Sequence, residues 1–197
     1  MDRIKLLNYL IITKGYEKYL EIGCAGNTCF NAVLASWKVG VDPVSGGTLR
    51  LTSDEFFKVN CMSFDLVFID GLHEASQAVR DVQNALKFLN HGGCIVLHDC
   101  LPKTEKQQDI SDGPHRLGEW TGDVWKAVTH FRTFHDLDTA VGDFDWGCGV
   151  VFKRANSHLL TLNLPWNELT WDNFVRHGKE WLRVMDVESC KKFIDGS

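Results

Sequence analysis

Short apolar runs alternate with amphipathic segments over the first hundred residues of the chain. Residues 2–13 carry apolar side chains at helical spacing, which predicts an opening amphipathic helix. The strands are predicted over 19–23, 38–42, 47–52, a run ending at Asp70 and 94–98, and the helices over 27–36, from 53 onward and over 74–89. Alternation of this kind predicts a parallel sheet covered by helices on both faces.

The alternation stops after residue 100. Residues 101–122 are polar, show no period and contain two prolines and three glycines. A loop of this length inside a compact domain is usually functional. We therefore predict that residues 101–122 form a lid.

A helix and two apolar runs follow this loop. Asp123 is expected to cap the helix, and 134–141 and 145–153 lie close enough in sequence to form an antiparallel hairpin. Residues 166–197 are helical in pattern. We predict a single domain over residues 1–197, an α/β doubly wound sheet of seven strands that ends in the antiparallel hairpin.

Asp70 and Asp99 each end an apolar run, and a helical segment and a Gly-Gly turn separate them. The order strand, helix, strand predicts a right-handed βαβ unit, whose parallel strands end at the same edge of the sheet. Ligands of open α/β sheets bind at this carboxyl edge. The site predicted there holds Asp70, His73, His98 and Asp99.

Composition narrows the classes of function. The net charge is −5 without basic runs, which argues against nucleic-acid binding. No apolar stretch reaches the roughly 18 residues of a membrane span, and the first residues do not resemble a signal peptide. The seven cysteines are odd in number and form no C-x-x-C pair, which favours buried free thiols. We expect a cytoplasmic protein that binds neither membranes nor nucleic acids.

Motifs in the order of one known family run along nearly the whole chain. They are YLEIGCAGNTCFNAV, VGVDP, TSDEFF, FDLVFIDGLHEASQAVRD, GGCIVLHDC and GDVWKAV. In this order the chain resembles the class I S-adenosylmethionine (SAM)-dependent methyltransferases, most of all the small O-methyltransferases of the catechol and macrolide-sugar types. The resemblance implies a Rossmann-like methyltransferase sheet, SAM as cofactor, and methyl transfer to a hydroxyl of a small acceptor such as a sugar.

The resemblance also implies where SAM lies. Gly23 and Ala25 would allow its methionine part to approach the backbone, although Ala25 replaces a glycine of the common G-x-G-x-G motif. Asp42 would accept the ribose hydroxyls. Ser53 and Asp54 would lie at the adenine, but helix capping explains these two equally well. The predicted cofactor-binding residues are Glu21, Gly23, Ala25, Gly26, Asn27, Thr28, Asp42, Ser53, Asp54 and Asp70.

Catechol-type relatives hold Mg²⁺ at the positions of Asp70 and Asp99. His98 stands where macrolide-sugar relatives have a glutamate ligand, so Mn²⁺, Fe²⁺ or Zn²⁺ would suit the site as well as Mg²⁺. The predicted metal ligands are Asp70, His98 and Asp99, and a site without metal stays open. His73 matches the base of the macrolide-sugar enzymes. The predicted catalytic residues are therefore His73, Asp70 and Asp99.

Two other functions stay open. An NAD-type Rossmann oxidoreductase would also use an acid such as Asp42, but the G-x-G-x-x-G motif is missing and the terminal hairpin argues against it. A SAM-binding module without turnover would be favoured by a loop that covers the acceptor side permanently. The expected partner is a small hydroxylated acceptor, and a homodimer is also left open.

Overall fold

Helices and strands alternate along the chain, as the apolar pattern predicts. The computed structural model describes residues 1–111 and 119–196. The helices are α1 (Arg3–Lys14), α2 (Thr28–Ala32), α3 (Ser53–Val59), α4 (Ala75–Phe88), α5 (Glu105–Gln108), α6 (Trp125–Phe131), α7 (Trp171–Trp181) and α8 (Val187–Asp195). The strands are β1 (Lys18–Ile22), β2 (Trp37–Val41), β3 (Phe64–Ile69), β4 (Leu89–Leu97), β5 (Asp138–Gly142), β6 (Cys148–Phe152) and β7 (Val184–Met185).

The seven strands of the described residues form one sheet in the order β2-β1-β3-β4-β6-β5-β7. β1 pairs in parallel with β2 and β3, and β3 pairs in parallel with β4. β6 runs antiparallel to both β4 and β5. The doubly wound sheet, its seven strands and its antiparallel hairpin are therefore confirmed.

One predicted strand is wrong. Residues 47–52 contribute only a single parallel bridge, between Val41 and Leu49. The backbone of Gly47 is left-handed, with a φ of +66°, and the N–H of Leu49 donates to the carbonyl of Gly40. This turn ends the pairing after one bridge, so no ladder can form.

The seventh strand is instead β7, which lies in a segment predicted to be helical throughout. Val184 and Met185 pair in parallel with Val141 and Gly142 of β5. The two residues separate α7 from α8. A strand this short has no period that a sequence pattern could reveal.

One predicted helix is shorter than expected, and another lacks its predicted cap. α2 ends at Ala32 because Val33 is already extended, with a ψ of 131°. α6 has no side-chain cap. Asp123, predicted to cap α6, instead accepts a hydrogen bond at 2.7 Å from the N–H of Ala75, the first residue of α4. Asp123 therefore caps a helix that begins 48 positions earlier in the chain.

The sheet is buried on both faces, which fixes the positions of its strand ends. On β3, Val67 and Ile69 face a cluster that includes the fully buried Trp125 of α6. Leu66 and Phe68 face the opposite cluster, which contains residues of α1 and α8. A shift of one residue would exchange these two faces, so burial holds β3 in register with its neighbours.

The cysteines are free thiols, and all except Cys61 are buried, as predicted. Burial raises the pKa of Cys24 to about 12, which keeps it neutral. Within the described part of the chain, no helix combines the length and the apolar character needed to cross a membrane.

Candidate active site

Asp70 and Asp99 lie at the carboxyl ends of two neighbouring strands. Asp70 directly follows β3, and Asp99 lies two residues beyond the end of β4. The ladder pairs Ile69 with Leu97, which brings these two ends side by side. The two carboxylates and the two nearby histidines form one cluster, as the sequence predicts.

His73 contacts both carboxylates. Its Nε2 is 3.4 Å from Oδ1 of Asp70 and 3.3 Å from Oδ2 of Asp99. Its Nδ1 is 3.2 Å from the backbone carbonyl oxygen of Trp120. A carbonyl can only accept, so Nδ1 carries a proton and Nε2 faces the acids. Burial alone would lower the pKa of His73, but the hydrogen bond to Asp70 and the charge of Asp99 raise it.

His98 contacts the same two carboxylates. Its Nδ1 is 3.4 Å from Oδ1 of Asp70 and 3.1 Å from Oδ2 of Asp99, yet neither contact is aligned as a hydrogen bond. Burial opposes a charge on His98, but the two acids outweigh it and raise its pKa. In the same way, burial would raise the pKa of Asp70, and the two histidines lower it.

Arg3 and Asp145 complete the cluster, and the sequence does not predict either of them. Nη1 of Arg3 lies 3.2 Å from Nε2 of His98, and Nε of Arg3 lies 3.9 Å from Asp70. Asp145 accepts hydrogen bonds from the backbone N–H and from Nη1 of Arg3. Clustered acids require cations nearby, but that rule does not identify which arginine supplies the charge.

Three of these side chains could hold a metal ion. In the described residues, ligand atoms of Asp70, His73 and Asp99 all lie within 4.8 Å of one another. His73 directs its other ring nitrogen at a backbone carbonyl, as metal-binding histidines commonly do. The buried Nδ1 of His98 has no aligned partner. These donors fit a divalent cation that accepts oxygen and nitrogen ligands. The prediction that His98 is the third ligand differs from this triad, which contains His73.

A cleft of about 630 Å³ runs along the carboxyl edge to this cluster. The predicted site residues that line it are Gly23, Ala25, Asp42, Ser53, Asp54, Asp70 and His73. Four residues predicted to bind the cofactor, Glu21, Gly26, Asn27 and Thr28, are not among its lining residues. Gln77 and Asp81 of α4 line it as well, and the sequence does not predict them.

Gly23 brings the backbone of the first loop against the strand end that carries Asp70. Its φ is +84°, and a Cβ at this position would overlap the carbonyl group of Asp70. Only glycine fits this close approach. Asn27, also in this loop, accepts a hydrogen bond at 2.7 Å from the N–H of Gly47. The first loop is therefore packed against the turn that follows β2.

Asp42 holds these two loops together. Its Oδ2 accepts from the N–H groups of Cys24 and Ala25 at 2.9 and 3.0 Å. Its Oδ1 accepts from the N–H groups of Val44 and Ser45, both at 2.8 Å. These backbone bonds lower the pKa of Asp42 against the effect of burial. A carboxylate has about four acceptor sites, and these four N–H groups occupy them. The expectation that Asp42 accepts ribose hydroxyls stays a prediction.

Glu21 lies behind the cleft. Its carboxylate accepts a hydrogen bond from the hydroxyl of Tyr19. Burial raises the pKa of Glu21 to about 7, although the bond from Tyr19 opposes the shift. Its predicted role in cofactor binding stays a prediction.

Helix capping does not explain Ser53 and Asp54. The N-cap of α3 is Thr52, which forms a reciprocal capping box with Glu55. Ser53 and Asp54 instead line the cleft. The N-cap role therefore belongs to Thr52, and the adenine-side role of Ser53 and Asp54 stays a prediction.

Gln77 and Asp81 close the same end of the cleft. Nε2 of Gln77 donates to Oγ of Ser53 at 3.1 Å and to Oδ1 of Asp81 at 2.9 Å. Asp81 is 1% exposed, and burial raises its pKa to about 6. The spacing of i and i+4 on α4 brings the two side chains together, and this spacing is the signal that could have identified them.

The C-terminal end of the predicted lid contacts the site. The ring of Trp120 stacks on His73 with centroids 5.2 Å apart. The N–H groups of Thr121 and Gly122 donate to the carbonyl of Gln107 in α5. Residues 112–118, with two of the three glycines on which the lid prediction rests, lie outside the described residues. The lid stays a prediction.

Residues 35–100 match a family model described as a methyltransferase domain. No curated protein is similar enough in sequence to count as a match. The fold is also found in solved O-methyltransferase structures. One is the Bacillus cereus O-methyltransferase in complex with SAH, at 14% identity, with a TM-score of 0.56 and coverage of 77% of this chain and 80% of that chain.

Two further solved structures have the same fold. The O-methyltransferase TomG of Streptomyces achromogenes, involved in tomaymycin synthesis and solved with SAM, is 14% identical, with a TM-score of 0.52 and coverage of 78% of this chain and 80% of that chain. The SAH-bound methyltransferase PaMTH1 of Podospora anserina is 15% identical, with a TM-score of 0.54 and coverage of 79% and 78%. The predicted Rossmann-like methyltransferase fold and the resemblance to that class are confirmed.

Proposed function

We propose that this chain, which has the fold of the class I SAM-dependent methyltransferases, transfers a methyl group from SAM to a hydroxyl of a small acceptor, with a sugar among the candidates. The observation that carries the proposal is the cleft that runs from Gly23 and Asp42 to Asp70 and His73. It joins a groove large enough for a nucleoside cofactor to a histidine that contacts two acids.

In the proposed complex, the adenine lies at the end of the cleft formed by Ser53, Asp54 and Gln77. The methionine part lies at the other end, beside Gly23 and Ala25 of the first loop, which is packed against the strand end of Asp70. Asp42 contributes mainly by shaping the loop, because it binds four backbone N–H groups. The sulfonium methyl then faces the acceptor beside Asp70.

The proposed reaction is an in-line displacement at the methyl carbon. The acceptor oxygen forms the new carbon–oxygen bond as the carbon–sulfur bond breaks, and the bonding pair of that bond stays on sulfur. SAM leaves as the neutral thioether SAH. The hydroxyl proton passes to Nε2 of His73, because Nδ1 is already committed to the carbonyl of Trp120. Asp70 and Asp99 then stabilise the imidazolium.

Proton removal has to accompany methyl transfer. An aliphatic hydroxyl has a pKa near that of water, about 15.7, against about 6.5 for histidine. The two acids raise the pKa of His73, which narrows this gap without closing it. A base that removes the proton as the carbon–oxygen bond forms avoids the free alkoxide.

A divalent cation would be held by Asp70 and Asp99 with one imidazole. When bound, it would lower the pKa of a coordinated acceptor hydroxyl. His98 as the third ligand would leave Nε2 of His73 free to accept a proton, whereas His73 as the third ligand would not. The predicted ligand set of Asp70, His98 and Asp99 is thus the one that is compatible with His73 as the base.

The test is a screen of hydroxylated acceptors with radiolabelled SAM, with and without divalent metals. His73→Ala should slow methylation by about 10²–10⁴-fold while SAM still binds. His91→Ala, an exposed histidine of β4, is the matched control and should leave the rate unchanged. An unchanged rate in His73→Ala would remove the base from the mechanism.

Full activity in EDTA would show that the reaction does not need a divalent cation. Calorimetry with SAM and with NAD tests the oxidoreductase alternative, which predicts tighter binding of NAD. SAM binding without methylation of any acceptor would favour the alternative function, a SAM-binding module without turnover.

A further inference from the structure

A second cavity opens at the carboxyl edge, next to the acidic cluster. It measures about 720 Å³ and lies between the turn after β5, the segment after Asp99 and helix α7. Asp145, Trp146 and Gly147 of the turn all have left-handed backbones, with φ of 49°, 64° and 87°. A tryptophan in this region is an outlier that the surroundings must hold in place.

The segment that leaves the catalytic cluster holds this turn. The N–H of Cys100 donates to the carbonyl of Gly147 at 3.0 Å, and the N–H of Leu101 donates to that of Trp146 at 2.7 Å. Asp145 lines the cavity and also contacts Nε2 of His98 at 3.6 Å. One imidazole ring therefore separates this cavity from the carboxylate of Asp70.

The cavity has flat aromatic walls. Trp146 lines one side, and Trp171 and Phe174 of α7 line another. The rings of Trp171 and Phe174 are stacked, with centroids 5.1 Å apart and an angle of 19° between their planes. Side chains of this kind bind the face of a ring-shaped ligand.

The cavity also offers a cation beside its wall. Nζ of Lys103 lies 4.0 Å from the centre of the Trp146 ring and, among the described residues, forms no ion pair. The other charged lining residues are Asp143, Asp145, Arg176, Lys179 and Glu180. Arg3 pairs with Asp145 and Asp172 pairs with Arg176, so Lys103 is the cation that lies directly beside the aromatic wall.

We propose that this cavity binds the methyl acceptor, and that the acceptor is a hydroxylated ring bearing a carboxylate or phosphate. The ring lies against Trp146, its anionic group is bound by Lys103, and its hydroxyl points past Asp145 and His98 towards the cluster that contains His73. This inference rests on the proposed function and adds the chemical class of the acceptor. Aromatic acids and acidic sugars share this chemistry.

The test measures binding by calorimetry in the presence of SAH. The probes are 4-hydroxybenzoate and glucuronate, with phenol and glucose as their neutral counterparts. At least one acidic probe should bind about 10-fold more tightly than its neutral counterpart, because it gains a charge-assisted bond. Lys103→Met should abolish this preference, and Lys106→Met, an exposed lysine of α5 outside the lining, should preserve it.

Trp146→Leu should weaken binding of the preferred probe about 10-fold. Trp146→Phe should weaken this binding less, because phenylalanine keeps an aromatic face. SAH should bind all four variants with unchanged affinity. Preference for 4-hydroxybenzoate identifies an aromatic acid, and preference for glucuronate identifies an acidic sugar.

The proposal is overturned if neither acidic probe is preferred, or if Lys103→Met leaves the preference intact. Lys103 is exposed, so this variant remains informative even if Trp146→Leu fails to fold. Failure of SAH to bind the unmodified protein would overturn the proposed function together with this inference. SAH binding without a preference for either acid would overturn the inference alone.

Discussion

Arg3 and Asp145 lie 142 positions apart, and the carboxylate of Asp145 accepts the backbone N–H of Arg3 at 2.7 Å. It also accepts Nη1 of the same residue at 3.1 Å. The first turn of α1 is thereby joined to the turn between β5 and β6. This contact also carries the guanidinium of Arg3 to His98 and Asp70.

Asp145→Asn should destabilise the protein by about 1–2 kcal/mol, because the amide keeps one acceptor but loses the charge-assisted bonds to Arg3. Asparagine tolerates the left-handed backbone of this position, with φ 49°. Asp145→Ala should cost more, since it adds backbone strain. Urea unfolding measures both variants. An unchanged stability of Asp145→Asn would show that the charge of the carboxylate contributes little.

Gly23→Ala should destabilise the protein by more than about 2 kcal/mol and abolish SAM binding, because the new methyl group would overlap the carbonyl of Asp70. Gly15→Ala is the matched control. Gly15 is also left-handed, with φ 67°, but no atom lies within 4 Å of the added Cβ. It should lose only the strain of about 1 kcal/mol. Similar unfolding curves for the two variants would contradict the close approach.

Asp42→Asn should destabilise the protein at pH 7 by about 1–3 kcal/mol, since the amide nitrogen cannot accept two of the four backbone N–H groups. The folded-state pKa of Asp42 is lowered, so its contribution is fully present above the unfolded value of about 3.9. The difference between the two proteins should shrink as the pH falls below that value. Urea unfolding between pH 2.5 and 7 tests this, with Asp54→Asn, at a half-buried aspartate that accepts no backbone N–H among the hydrogen bonds of the described residues, as the control.

Asp81 should have the opposite pH dependence. Its folded-state pKa is raised to about 6, so the folded protein binds the extra proton between about pH 4 and 6. Stability should therefore fall by about 2–3 kcal/mol as the pH rises through this window. Asp81→Asn, whose amide oxygen still accepts from Gln77, should flatten the curve there. Parallel curves for the two proteins would contradict the shift.

Trp120→Leu should slow methylation without weakening SAM binding, because Trp120 stacks on His73 and does not line the cofactor cleft. We expect the rate of methylation to fall about 10-fold, because the imidazole of His73 would be held less precisely. Trp37→Leu, at the β2 edge of the sheet, should leave the rate unchanged. A comparable loss in both variants would indicate a general effect on stability.

The carboxyl-edge site is predictable because its information is local. Asp70 ends an apolar run, and His73 follows within one helical turn. The strand–helix–strand order then fixes that Asp99 returns to the same edge. The right-handed crossover and the burial of both sheet faces then fix the register that brings Asp70 and Asp99 side by side.

Contacts that depend on distant or very short segments are not predictable in this way. β7 has two residues and therefore no period. Arg3 belongs to a helix whose apolar spacing specifies its buried face and not the partner of its first turn. Asp42 ends β2 as expected, but a strand-end acid has the same pattern whether it binds a ribose or four backbone N–H groups.

The cap that Asp123 provides for α4 determines when, during synthesis of the chain, the site can take its final geometry. The N–H of Asp123 also donates to the carbonyl of His73, so this residue orients both the base and the helix that follows it. A nascent chain that has emerged only as far as Asp99 contains Asp70, His73 and Asp99 but lacks the group that fixes their geometry. The strand–helix–strand segment is therefore not an autonomous catalytic unit, and its base acquires its final orientation only after the polar loop has been synthesised.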